Sequence, residues 1–214
     1  DWSSDVCSSD LFLSGKLENI PDEGTIAPAS YDFVIGMTKE ALIKKMQERQ
    51  ASILNEAWNA RQPNLPINTK QEALILASII EKETSLKTER GKVSSVFINR
   101  LLREIALQTD ASVVYGITRG KKVLGRGLRR SELKKDTPWN TYVNKGLPPS
   151  PIGNPGKASI HAALNPDITN YLYFVADGSG GHAFAENLRE HNINVAKWRK
   201  IRSEEHTSEL QSHS

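Results

Sequence analysis

The chain has 214 residues, 38% of them hydrophobic, with 28 Lys and Arg against 25 Asp and Glu and a formal net charge of +3. That is enough apolar material for one sizeable core, and no run approaches the roughly 18–20 apolar residues that span a bilayer, nor is a signal peptide visible. The basic balance is not organised for nucleic acid: Arg129–Arg130 and Lys134–Lys135 are short clusters without interleaved aromatics, and no zinc-finger spacing or Gly-Lys-Ser/Thr phosphate loop occurs.

Residues 1–10 (D-W-S-S-D-V-C-S-S-D) and 202–214 carry neither helical nor strand periodicity. The second reverse-translates into a stretch resembling a widely used sequencing adapter, and the first resembles the reverse strand of one. Both are read as non-native tails and set aside from the fold. Excluding Asp1, Asp5 and Asp10 at one end, and Arg202 with Glu204, Glu205 and Glu209 at the other, raises the formal charge from +3 to +8. The single cysteine, Cys7, also leaves, so the remaining chain has no disulfide and no cysteine-based metal site.

Residues 11–31 are rich in Pro, Gly and acids and predict an extended lead-in with one short strand. The spacing of Ala41, Leu42, Met46, Ile53, Leu54 and Trp58 predicts a long amphipathic helix over 37–58, capped by Thr38 and stopped by Pro63 and Pro66. Thr69 opens a second helix over 70–84 that is apolar nearly all round and therefore central. A third, over 89–103, presents Val93, Val96, Phe97 and Leu101 to it. Residues 107–115 are a strand or a short helix capped by Asp110. From 116 to 156 the composition shifts to Gly, Pro, Lys and Arg, a loop long enough to be functional. Tyr171–Ala176 predicts a strand turned by D-G-S-G-G into H-A-F-A, and a last helix over 187–200 closes the domain. The fold class expected is α+β: a mostly helical core around one buried helix, with a small β-hairpin.

Glu81 ends the apolar run A-L-I-L-A-S-I-I. Desolvation disfavours a carboxylate, so an acid there is a candidate proton donor at neutral pH. Glu81 and Glu83 are not a catalytic pair, because two steps along a helix turn the side chains about 200° apart. Glu81 lies four after Ala77 and seven after Leu74 and so continues a small, apolar face, whereas Glu83 sits beside Lys82 and is placed nearer solvent. Either Glu81 faces a cleft or E-K-E is the solvated end of a core helix. His182 follows two glycines that let backbone approach a ligand, or else it is a turn histidine that hydrogen-bonds locally. Gln108, Thr109, Asn140, Thr141 and Tyr142 offer neutral hydrogen bonds to sugar hydroxyls or amides, or serve as turn and cap residues. No histidine pair has metal-ligand spacing and no G-x-S-x-G elbow occurs, so neither a metal nor a cofactor is expected.

The ordered series A-S-I-I-E-K-E-T (77–84), V-F-I-N-R-L (96–101), L-Q-T-D (107–110), N-T-Y (140–142), G-L-P-P (146–149), P-G (155–156) and Y-L-Y-F-V-A-D-G-S-G-G-H-A-F (171–184) resembles the YceG-like endolytic murein transglycosylase family. The resemblance covers most of residues 21–198. It implies a lysozyme-like catalytic domain over 32–201, preceded at 11–31 by the end of an N-terminal subdomain. It further implies endolytic cleavage of the β-1,4 MurNAc-GlcNAc bond in peptidoglycan glycan strands, leaving 1,6-anhydro-MurNAc ends. In that reaction one glutamate, by the resemblance Glu81, is first acid and then base. Gln108, Thr109, Asp110, Asn140, Thr141, Tyr142 and His182 would bind the glycan. Family members carry a single-pass N-terminal membrane helix, which this chain does not include, and place the catalytic domain on the periplasmic, cell-wall side of the bacterial inner membrane. Cell-wall synthesis proteins are the partners implied.

Two other readings compete with this one. A noncatalytic peptidoglycan-binding scaffold needs no acid, and a muramidase hydrolase needs a second carboxylate, for which Asp110 is available.

Overall fold

The computed structural model describes residues 13–212, with side chains as far as Glu204. The N-terminal tail read over residues 1–10 lies outside the described residues. Among the described residues no helix is long and apolar enough to cross a membrane.

Helix α1 (Lys39–Asn59) starts where expected, with the Thr38 hydroxyl accepting from the Ala41 N–H. Helix α2 (Lys70–Glu83) opens on a capping box: Thr69 accepts from the Glu72 N–H while the Glu72 carboxylate reaches back to the Thr69 N–H. Every residue from Ala73 to Ile80 is buried, so α2 is the central helix. Helix α3 (Arg90–Leu102) lays Val93, Val96 and Phe97 against it.

Residues 107–115 resolve in favour of the short helix, α4 (Asp110–Thr118), and its cap is Thr109 rather than Asp110. The Thr109 hydroxyl accepts from the Ser112 N–H, leaving the Asp110 side chain free to project from the first turn. The loop over 116–156 is broken by one short helix, α5 (Arg130–Lys134). Immediately after it comes α6 (Lys157–Leu164), an element the sequence pattern did not announce. Ile160, Ala163 and Leu164 of α6 are fully buried, and α6 packs more extensively on α2 than any other element does.

Strands β1 (Tyr173–Ala176) and β2 (His182–Ala185) form one antiparallel hairpin with Phe174 opposite Phe184. Gly178 and Gly180 take positive φ of 89° and 91° in its turn, which glycine adopts without strain. The fold is thus α+β, mostly helical with a small two-stranded sheet, as expected. Helix α7 (Leu188–Ser212) runs past residue 200, since no Gly or Pro interrupts it.

Among its described residues the lead-in forms no strand beyond a single bridge between Ser14 and Thr38. It is tied down from two sides instead. Asn154 Oδ1 accepts from the Gly24 and Ile26 N–H groups, and the buried Gln50 amide donates to the Gly24 and Pro155 carbonyls. These bonds fix the stretch just before α6 against α1, and so fix where α6 begins.

Candidate active site

The C-terminal turn of α2 sends its two glutamates to opposite sides, as the helical rotation requires, but not to the sides the sequence suggested. Glu81 meets the N-terminus of α6. Its Oε2 accepts from the Gly156 N–H at 3.1 Å and from the buried Ser159 hydroxyl at 2.6 Å, while Oε1 lies 3.5 Å from the Arg90 guanidinium. Unpaired N–H groups and a partial positive charge at a helix start attract a carboxylate. Glu81 is therefore a capping residue delivered by a neighbouring helix.

Glu83 faces a cleft of about 420 Å³ whose walls include Phe97 and Arg100 of α3, Gln108 and Asp110 at the start of α4, Tyr142, and Tyr173 of β1. Of the two it is Glu83, placed nearer solvent by its position beside Lys82, that lines this cleft. Glu83 Oε1 is shut off from solvent and has no hydrogen-bond partner. Burial pushes the Glu83 carboxyl up to about 7, the charge of nearby Asp110 adds to the rise, and the Thr109 hydroxyl opposes it. A carboxyl in that range holds its proton at neutral pH and can also give it up.

Of the predicted glycan-binding residues, Gln108, Thr109, Asp110 and Tyr142 all line this cleft. Gln108 takes a left-handed φ of 57°, held there as its N–H donates to the Thr141 carbonyl and its Oε1 accepts from Arg100. The Tyr142 hydroxyl donates to Asp110 Oδ1 at 2.6 Å. Burial and that carboxylate push the Tyr142 phenol up, so it remains a donor.

Asn140 and Thr141 are not on the cleft wall. Asn140 is fully buried and its amide donates to the Glu132, Leu133 and Lys135 carbonyls, pinning the end of α5. Thr141 Oγ1 accepts from the Thr109 N–H at 3.0 Å and pairs with the Ser112 hydroxyl at 2.8 Å. Both residues hold α4 and Tyr142 in place. His182 is not among the residues lining the cleft either: its Nδ1 pairs with Glu89 Oε2 at 2.8 Å, and its ring meets Phe174, which does line it, edge-on.

Three cleft residues went unnoticed in the sequence. Arg100 is 7% exposed and spans the cleft floor by donating to the Ala106, Leu107 and Leu172 carbonyls. Its signal was present, since Arg100 falls three after Phe97 and seven after Val93, on the apolar stripe of α3. Tyr173 and His191 stack with ring centroids 5.1 Å apart, and no spacing in the polar helix α7 marks His191. Among the described residues no group of three His, Cys, Asp or Glu side chains is arranged to hold a metal ion.

Comparison with known proteins agrees with the order of motifs. The model of the YceG-like family matches residues 4–197. The endolytic murein transglycosylase of Bacillus subtilis (strain 168) is 37% identical over 201 residues, covering 94% of this chain and 54% of the relative. The endolytic murein transglycosylase of Streptococcus pneumoniae serotype 2 is 34% identical over 182 residues, 82% of this chain and 32% of that protein. The crystal structure of a yceG-like protein from Listeria monocytogenes aligns with a TM-score of 0.67 at 34% identity, covering 79% of this chain and 54% of that one. The chain thus spans about half or less of the length of the relatives it matches. With the family model covering nearly all of it, the chain belongs to the YceG-like family.

Proposed function

We propose that this chain is the catalytic part of a peptidoglycan lytic transglycosylase, with Glu83 as its acid and base. The observation that carries this reading is a buried carboxyl with one oxygen left without a hydrogen-bond partner, raised to about 7, in a cleft whose walls include the hydrogen-bonding side chains of Gln108, Thr109 and Tyr142. The names of the relatives in Bacillus and Streptococcus supply the substrate class.

In the reaction, the Glu83 carboxyl gives its proton to the oxygen of the MurNAc-GlcNAc bond as the bond from that oxygen to the anomeric carbon breaks. The substrate's acetamido oxygen supports the cation. The Glu83 carboxylate then takes the proton of the muramic acid 6-hydroxyl, whose oxygen closes on the anomeric carbon, and the acid is regenerated without water. One carboxyl serves both steps. Membrane anchoring through an N-terminal helix and contact with wall-synthesis proteins belong to the same proposal.

A muramidase hydrolase is the second reading, favoured by Asp110 as another carboxylate in the cleft. Mass spectrometry of digested peptidoglycan separates the readings. Anhydro ends, one water lighter than reducing ends and absent with Glu83→Gln, are expected. Reducing ends indicate the hydrolase, binding without cleavage indicates a scaffold, and full activity in Glu83→Gln removes Glu83 from the chemistry.

A further inference from the structure

Glu83 Oε1 is not the sole buried polar atom left without a partner on the cleft's side chains. His191 Nδ1 is another, carried by a residue that lines the same cleft from the first turn of α7. An unpaired buried nitrogen costs on the order of 1–3 kcal/mol, and a ligand in the cleft that bonded it would recover that cost. The ring itself is not loosely held. It stacks on Tyr173 at 25° between ring planes, and Tyr173 in turn sits against the Arg100 guanidinium, 5.1 Å from its ring centroid. A fixed ring with an idle nitrogen differs from the other histidine of this region, since His182 has its Nδ1 taken by Glu89.

We propose that His191 is a saccharide-binding residue of the cleft, its Nδ1 hydrogen-bonding a hydroxyl or acetamido group of the glycan strand. This rests on the reading of the cleft as a glycan site. Burial and the Arg100 charge both hold His191 below its ordinary value, so near neutral pH the ring is an uncharged imidazole with one donor and one acceptor nitrogen. That suits the hydroxyl and acetamido groups of the sugar rings. An acidic stem peptide would instead favour an imidazolium, which the buried Arg100 guanidinium disfavours. His191 is thus a positioning residue on the substrate side, separate from the proton transfers of Glu83.

The test uses the full chain carrying Glu83→Gln, which stops turnover, with ¹⁵N-labelled histidine rings followed by NMR. Glycan strands stripped of stem peptides are titrated in, and free stem peptide is titrated separately. The expected result is a saturable shift of the His191 ring nitrogens with the stripped glycan and none with the peptide. In an otherwise wild-type chain, His191→Phe keeps the stack on Tyr173 and lacks the nitrogen. It should raise KM about tenfold while changing kcat far less, the size of one hydrogen bond of about 1.4 kcal/mol. Ring nitrogens unmoved at saturating glycan, or moved by the peptide alone, overturn the proposal, as does an unchanged KM in a folded His191→Phe. The NMR titration needs no His191 variant, so it decides even where His191→Phe does not fold. Activity surviving in Glu83→Gln would instead count against the proposed function, leaving the His191 result to be read on its own.

Discussion

Two glutamates at the end of α2 each meet the start of another helix, and they differ in what waits there. At the start of α6, Glu81 finds a free N–H, a buried hydroxyl and a guanidinium, and both of its oxygens are occupied. At the start of α4, Thr109 already caps the helix from within, and the first-turn residue is Asp110, another acid. Glu83 therefore arrives at a helix start whose cap is taken, with a like charge beside it and one oxygen sealed from water. The same residue type at nearly the same place thus becomes a structural anion in one case and a poised acid in the other. Burial alone does not make a catalytic carboxyl. The two differ in whether every oxygen finds a partner.

The comparison is broken most sharply by exchanging the two losses. Glu83→Gln should lower the rate of glycan cleavage by about 10²–10⁴-fold, the range for removing a general acid, while the chain still folds. Near-native cleavage would end the distinction. The next effect is on stability. Because the folded-state value of Glu83 lies above the ordinary 4.5, its favourable contribution is fully present below pH 4.5 and is lost as pH rises through about 7. Wild type should therefore lose about 3 kcal/mol relative to Glu83→Gln over that window, as read by denaturant unfolding at a series of pH values. A difference that does not vary with pH contradicts the placement.

Glu81→Gln should behave the other way, costing about 2 kcal/mol of stability through the lost charge-assisted bonds to Gly156 and Ser159 while cleavage persists. Asn140→Ala releases three carbonyls of the α5 end and should cost about 1–2 kcal/mol in unfolding experiments, with kcat largely kept. The smallest effect sharpens the contrast. Asp110→Asn removes the neighbouring charge, so the alkaline limb of the cleavage rate should move below pH 7 while anhydro products continue. Complete loss of cleavage in Asp110→Asn would favour the hydrolase.

Much of this was legible in the chain. The caps at Thr38 and Thr69, the all-round apolar run of α2 and the glycine-turned hairpin fixed the helical core and its sheet in advance. The motif order located the cleft-lining Gln108–Asp110 and Tyr142. The sequence pattern did not tell the two glutamates apart, and the cause is specific. Glu83 lies four after Ile79 and seven after Leu76, both fully buried, so the spacing that recommended Glu81 recommended Glu83 equally. A helix apolar all round has no single inner face to consult. The deciding fact was α6, eight residues hidden behind Pro155–Gly156, whose start consumes Glu81. Asn140 and Thr141 fill the second of the two roles open to them, turn residues, because a buried amide that braces a loop and an exposed one that binds sugar have the same sequence signature.

Whether Glu83 rather than Glu81 is the acid can be read from a ¹³C NMR titration of the Glu83 side-chain carboxyl in the folded protein. A midpoint near 7 that falls in Asp110→Asn is the predicted result. A midpoint at the ordinary glutamate value of 4.5 would contradict it.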